Sequence, residues 1–200
     1  GDQIYKRLSG LDITKGLNLK TVTLIGAGSV GSTAAVQLTK AGISKINLID
    51  PDTLELHNIC RHACDMDDLG RFKVDAVKDK LLNINPNAEV NALQLDVIED
   101  IGNIESILSG SDLIIASTDT PDSRMAVNMI GVENNTPMIF ISLHERARTG
   151  KVERFIPGVT QCRACLPGRG EEFSPGSTDY TESTEIRDIM FQPGLDTDIS

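Results

Sequence analysis

Apolar positions in this chain recur in two alternating rhythms. Between residues 21 and 50, a short apolar run (Val22, Leu24, Ile25) leads into a glycine cluster. A helical repeat follows, with Val30, Ala34 and Leu38 at i, i+4 and i+8, and it stops at Gly42. A second apolar run, 46–49, ends on Asp50, so the stretch predicts strand, turn, helix, strand: one βαβ unit. The pattern continues. Val74, Val77 and Leu81 predict a helix that Asn85-Pro86-Asn87 breaks. Residues 90–95 alternate as a strand, and Ile104, Ile107 and Leu108 predict a helix closed by Gly110. Residues 113–116 form an unbroken apolar run, as in a parallel strand buried on both faces. Met125, Met129 and Val132 face one way on a further helix, and 138–143 and 152–156 predict the last strands. Together these elements predict an α/β fold over residues 21–157: a Rossmann-like, doubly wound, mostly parallel sheet with helices on both faces.

Two segments lie outside that rhythm. In residues 1–20, Leu11, Ile13, Leu17 and Leu19 suggest a short helix or arm packed on the sheet. Residues 158–200 turn rich in Gly, Pro, Ser, Thr and acids, with one apolar patch at 186–191. They read as a mobile crossover segment, disordered over 168–184 without a partner, that leads into a C-terminal part cut short here. The stretch after Asp50 is unusual for a connector, because it combines buried-looking Leu54 and Leu56 with Asn58, Arg61 and His62.

The glycines carry the first chemistry. Gly26, Gly28 and Gly31 have G-x-G-x-x-G spacing between a predicted strand and a predicted helix. Gly26 permits the sharp turn, Gly28 lets the backbone approach a phosphate, and Gly31 lets the helix lie close to the strand. Asp50, nineteen residues after Gly31, stands where a carboxylate accepts hydrogen bonds from ribose hydroxyls. These residues point to a nucleotide and leave NAD, FAD, SAM and ATP open. A formal charge of −10 argues against a general nucleic-acid binder. An acidic chain that binds a polyphosphate must place a few cations locally or recruit a metal ion. The sequence contains no membrane-spanning run and no signal-peptide pattern. Its four Cys beside a βαβ pattern read as reduced thiols or metal ligands in a cytoplasmic protein.

Further motifs follow the glycines in order: D-P-D-T-L-E-L-H-N-I-C-R-H, G-R-F-K, N-I-N-P, S-T-D-T-P-D-S-R with Asn128, and C-R-A-C-L-P. With GAGSVGS, this order resembles the ubiquitin-activating-enzyme-like (ThiF/MoeB/HesA-type) adenylyltransferase family, from about residue 10 to residue 198. The resemblance implies ATP and Mg²⁺ as cofactors. It implies adenylation of a C-terminal carboxylate on a ubiquitin-like or sulfur-carrier protein ending in Gly, with pyrophosphate released. Position by position, it implies Gly26, Gly28, Gly31 and Asp50 around the nucleotide, with Asp50 on the ribose. Asn58, Arg61 and Lys73 would meet the phosphates, and Asp119 would hold Mg²⁺. Arg61, Lys73 and Asp119 are then the catalytic set. Arg124 and Asn128 would support the Asp119 loop. Asp52 joins the cofactor-binding candidates, although alone it reads, like Asp122, as a turn or helix-start acid. A homodimer is also implied, with residues 168–184 acting as a lid over the acceptor's tail.

Several features depart from that pattern. His62 stands where Gln is usual. The arginine-bearing N-terminal motif is not recognisable, and Arg7 is out of register. Residues 166–200 hold no Cys that could form a thioester. Cys162 and Cys165 make half of a Zn²⁺ site, since a structural zinc takes four ligands. Two free thiols, a redox pair, and completion by Cys60 and Cys64 are the other readings. Rival functions are a non-catalytic ATP-binding adaptor for a ubiquitin-like partner, activation of a small-molecule or tRNA carboxylate, and a nicotinamide-linked dehydrogenase.

Overall fold

The structure is a computed structural model and describes residues 4–6, 16–144 and 149–165. Six strands form one sheet: β1 (Thr21–Ile25), β2 (Lys45–Ile49), β3 (Glu89–Leu93), β4 (Leu113–Ala116), β5 (Met138–His144) and β6 (Thr149–Phe155). Their order is β3-β2-β1-β4-β5-β6. The first five run parallel, and β6 returns antiparallel along β5. Four helices connect them: α1 (Ser29–Ala41), α2 (Lys73–Ile84), α3 (Ile101–Ser109) and α4 (Pro121–Glu133). The predicted doubly wound architecture is present.

The strands' period of two sorts their side chains into two cores. On one face Val22, Leu24, Ile46, Leu48, Val90 and Ile115 pack with Ala35 of α1 and Val74, Val77 and Leu81 of α2. On the other, Ile25, Ile49, Ile114, Ala116, Met138 and Phe140 pack with Ile104 and Leu108 of α3 and Val127 and Ile130 of α4. The chain lays α1 and α2 on one face, and β4 then pairs on the far side of β1. That reversal opens a crevice at the carboxyl ends of β1 and β4, which is where sheets of this kind bind ligands. A polar ladder, buried except at Asn91, crosses three strands near their middle: Asn91 Nδ2 donates to Asn47 Oδ1, Asn47 Nδ2 donates to Thr23 Oγ1, and Thr23 shares a 2.6 Å hydrogen bond with Ser111. A one-residue slip of any of these strands would break it.

Some faces differ from the sequence expectation. On α1 the fully buried positions are Gly31, Ser32, Ala35 and Thr39, while Val30, Ala34 and Leu38 are only partly buried. The helix lies so near β1 that only small side chains fit beneath it. The α4 stripe turns outward, with Met129 56% and Val132 40% exposed. Its inner face carries Ala126, Val127 and Ile130 beside Ser123, Arg124 and Asn128. Leu54 is buried, but Leu56 is 67% exposed. In the N-terminal arm, Leu17 packs against the first core, Leu19 is exposed, and Tyr5 donates to the Thr39 carbonyl at 2.6 Å. The expected helix or arm at Leu11 and Ile13, the lid at 168–184 and the apolar patch at 186–191 lie outside the described residues. Among the described residues, no helix is long and apolar enough to cross a membrane.

Candidate active site

The crevice is built around the backbone of residues 26–31. Gly26 takes φ 91° at the end of β1, its N–H donating to the Ile49 carbonyl at 2.8 Å. A Cβ on Gly26 would lie 2.8 Å from the Ser117 carbonyl oxygen, and one on Gly31 only 1.8 Å from the Gly26 carbonyl oxygen. Neither position has room for a side chain. Gly28 is the opposite case: a Cβ there would meet nothing within 4 Å. Gly28 is the N-cap of α1, makes no side-chain cap, and is followed by no acid in the first turn. The first-turn N–H groups of a thirteen-residue helix therefore open onto free space, where a helix dipole favours an anion. The cradle fits a phosphate group.

Two side chains grip the peptide groups of Ala27, between the first two glycines. Asp50 Oδ2 accepts from the Ala27 N–H at 2.7 Å, and Asp50 Oδ1 accepts from the Asp52 N–H at 2.9 Å. Burial pushes the Asp50 carboxyl up, and the Asp52 N–H, the Lys73 charge and the Ala27 N–H oppose that rise. On the other side, His62 Nε2 lies 2.7 Å from the Ala27 carbonyl oxygen. Ser29 Oγ donates to the Arg61 carbonyl at 2.8 Å, so residues 61–62 are held over the start of α1.

Lys73 is delivered by a small antiparallel clamp. Thr53 pairs with Phe72, the Leu54 N–H donates to the Arg71 carbonyl, and the Lys73 N–H donates to the Asp52 carbonyl. Lys73 thus opens α2 beside the end of β2, and its ammonium, on a side chain only 12% exposed, sits 2.6 Å from Asp52 Oδ2. Asp52, which alone reads as a turn acid, is the partner that holds this lysine. Asn58 accepts from the Glu55 N–H through Oδ1 at 3.0 Å and so closes a capping box. Asp52, Asn58 and Lys73 line one cavity of about 160 Å³ with Thr53, Glu55 and His57.

Arg61 and Asp119 are outside that cavity's lining. Both are exposed, and among the described residues neither side chain makes an ion pair. Asp119 follows β4 on the same carboxyl-end rim. Ser117 ties this segment to the cradle by donating from Oγ to the Gly26 carbonyl at 2.9 Å. Thr120 caps α4 by accepting from the Ser123 N–H, and Pro121 follows it. Arg124 Nε donates to the Thr118 carbonyl at 2.9 Å, which supports the Asp119 loop as the resemblance implies. Asn128 works elsewhere: its Oδ1 accepts from the Arg163 N–H at 2.8 Å, so it holds the turn that carries the cysteines. Cys162 and Cys165 lie with their sulfurs 3.5 Å apart. Burial raises the Cys162 thiol, but hydrogen bonds from Cys165, from the Ala164 N–H and from Asn128 outweigh it and leave the thiol below its ordinary value. Among the described residues, no group of three or more His, Cys, Asp or Glu could hold a metal ion. Among the described residues, nothing joins these two sulfurs to complete the four ligands of a structural zinc site.

The contribution of His62 and Ser117 was not legible beforehand. Both act through the main chain of the glycine loop, and the sequence marked His62 only by its place beside Asn58 and Arg61 and by its departure from the expected Gln.

A doubly wound, mostly parallel sheet with an open glycine turn at its switch point defines a Rossmann-like class of fold. Within it, the chain belongs to the ThiF family, whose model matches residues 2–186. The chain is 36% identical over 157 residues to ubiquitin-like modifier-activating enzyme 5 of Caenorhabditis briggsae, which covers 74% of this chain and 36% of that protein. It is 32% identical over 161 residues to the Arabidopsis thaliana protein of the same name, covering 74% and 37%. It thus spans little more than a third of the length of these relatives. Among solved structures, Escherichia coli MccB with AMPCPP and MccA is 24% identical, covers 96% of this chain and 57% of its own, and superposes with a TM-score of 0.74. The E. coli tRNA N6-threonylcarbamoyladenosine dehydratase TcdA is 25% identical, covers 70% and 59%, and has a TM-score of 0.64.

Proposed function

We propose that this chain binds ATP with Mg²⁺ and adenylates the C-terminal carboxylate of a ubiquitin-like or sulfur-carrier protein. The observation that carries the reading is the α1 N-terminus: uncapped over Gly28, free of acids in its first turn, and accompanied by Lys73 at the start of α2. The names of the relatives, ubiquitin-like modifier-activating enzymes, favour a ubiquitin-like partner.

In the proposed reaction a carboxylate oxygen attacks the α-phosphorus of ATP. The bond from that phosphorus to the bridging oxygen breaks, pyrophosphate leaves with the electron pair, and AMP remains joined to the acceptor as a mixed anhydride. Negative charge builds between the attacked phosphorus and the leaving group, so preplaced cations lower the barrier. Lys73 exchanges Asp52 for phosphate, Arg61 adds the second cation, and Asn58 offers its amide. Asp50 accepts from the ribose while holding the loop. Asp119 is the carboxylate that would hold Mg²⁺, and one carboxylate with water and phosphate oxygens suits that ion. When bound, Mg²⁺ neutralises the polyphosphate. A homodimer in the cytoplasm completes the proposal. The formal charge of −10 favours a protein acceptor over tRNA.

Pyrophosphate exchange tests the reading. The protein with ATP, Mg²⁺ and its carrier is expected to incorporate labelled pyrophosphate into ATP. ATP binding without exchange across candidate carriers would favour the adaptor instead.

A further inference from the structure

We infer that His62 is a positioning residue that sets the glycine cradle through the Ala27 peptide, making the cradle's grip on phosphate sensitive to acid. The idea of a phosphate here rests on the nucleotide reading above, whereas the coupling of His62 to the loop does not.

The hydrogen bonds fix the state of the ring. The Cys64 N–H can only donate, and it lies 3.1 Å from Nδ1. Nδ1 must therefore be unprotonated, and the proton sits on Nε2, aimed at the Ala27 carbonyl oxygen 2.7 Å away. That carbonyl can only accept, so both contacts are satisfied by one neutral tautomer and by no other. Together with Asp50, which accepts from the Ala27 N–H, His62 holds the loop from the opposite side. The residues on either flank of Ala27 are the glycine that turns the chain and the glycine that caps α1. A shift of the Ala27 carbonyl therefore passes directly to the Gly28 cap.

Protonation undoes this arrangement. A second N–H on Nδ1 would face the Cys64 N–H, donor against donor. Burial of the ring already resists the charge and holds the imidazole below its ordinary range. The Ala27 contact raises it, the Lys73 ammonium lowers it, and the Asp50 and Asp68 carboxylates raise it. With the folded value depressed, the neutral clamp is fully present above the unfolded value of about 6.5 and is lost as pH falls through the folded value. Glutamine, the residue type expected at this position, keeps an amide donor for the Ala27 carbonyl and does not titrate.

Nitrogen NMR of the ligand-free protein, joined to ATP titrations between about pH 5 and pH 8, tests the inference. The His62 ring is expected as the Nε2–H tautomer at pH 7. The amide signals of Ala27 and Gly28 should move with the ring's own midpoint, and that movement should vanish in His62→Gln. ATP affinity should fall several-fold, up to about tenfold, across the same midpoint. ATP's own terminal phosphate titrates nearby, and His62→Gln, which keeps that term, separates the two. His62→Phe should raise the KM for ATP with little change in kcat, and Gln should restore it. An Nδ1–H tautomer, or loop amides that titrate alike in His62→Gln, would overturn the inference. Loop amides that follow His62 in a protein that binds no ATP at any pH would support the clamp and overturn the nucleotide reading.

Discussion

Arg61→Ala and Asp119→Ala should each lower carrier-dependent pyrophosphate exchange by about a hundred- to a thousand-fold, or roughly 3–4 kcal/mol of transition-state stabilisation. The reasoning is electrostatic. Charge appears on the leaving pyrophosphate only as the bond breaks, so a group aimed there acts on the rate more than on ground-state binding. Both side chains are exposed, and among the described residues neither makes an ion pair, so truncation removes no structural contact. Their thermal midpoints should stay near that of the parent, since surface changes of this kind usually stay within about 0.5 kcal/mol. The combination of intact folding and lost exchange is the signature. Lys73→Ala is a less clean probe because it also strands Asp52, its partner at 2.6 Å. Exchange that survived both the Arg61 and the Asp119 change would remove the roles assigned to them.

The second large effect is on stability. Gly31→Ala should destabilise the protein by about 2–3 kcal/mol, in the range of severe overpacking. At roughly 2–4 °C per kcal/mol for a chain of this size, that lowers the melting midpoint by about 5–10 °C. The added methyl would sit 1.8 Å from the Gly26 carbonyl oxygen and 2.8 Å from Ser117 Oγ. The side-chain hydroxyl can rotate away, but the carbonyl is backbone, and its peptide is fixed by the Ala27 N–H bond to Asp50. The helix must therefore lift from β1, and the cradle opens with it. ATP binding should fall together with stability. Gly28→Ala is the contrast: a methyl there meets nothing, so the fold should hold while the phosphate's approach is blocked. A Gly31→Ala protein with parental melting would show that the helix does not lie as close as the structure places it.

Much of the arrangement was legible because local rules govern it. The glycine spacing, the Gly42 stop and the terminal Asp50 follow from backbone sterics and period, and the structure has the turn at Gly26, the end of α1 at Gly42 and Asp50 directly after β2. Period alone does not reveal direction, which is why the last strand was predicted but its antiparallel return along β5 was not. Nor does it give rotation to within a residue. On α1 the buried line is Gly31, Ala35 and Thr39, one position on from the apolar one, because closeness to β1 selects for smallness over hydrophobicity. On α4 the stripe through Met129 and Val132 lies on the exposed side, because the inner face mixes Ala126, Val127 and Ile130 with Ser123, Arg124 and Asn128. Long-range pairs were the hardest to foresee. Asp52 and Lys73 are 21 residues apart, and only the clamp between residues 52–54 and 70–73 brings them together. Asn128 fits a motif but serves the Cys162–Cys165 turn, 35 residues away at its Arg163 contact. The pocket adds a further distinction: it unites Asp52, Asn58 and Lys73, while Arg61 and Asp119 lie outside its lining.

Arg61 and Asp119, outside that lining, make a complex with a non-hydrolysable ATP analogue and Mg²⁺ the decisive measurement. A crystal structure is expected to show the phosphates against the backbone at Gly28, the ammonium of Lys73 turned from Asp52 toward them, the Arg61 guanidinium on a phosphate oxygen, and Asp119 on the metal. A nucleotide seated away from Gly28, or one that leaves Arg61 and Asp119 facing solvent, would contradict the account.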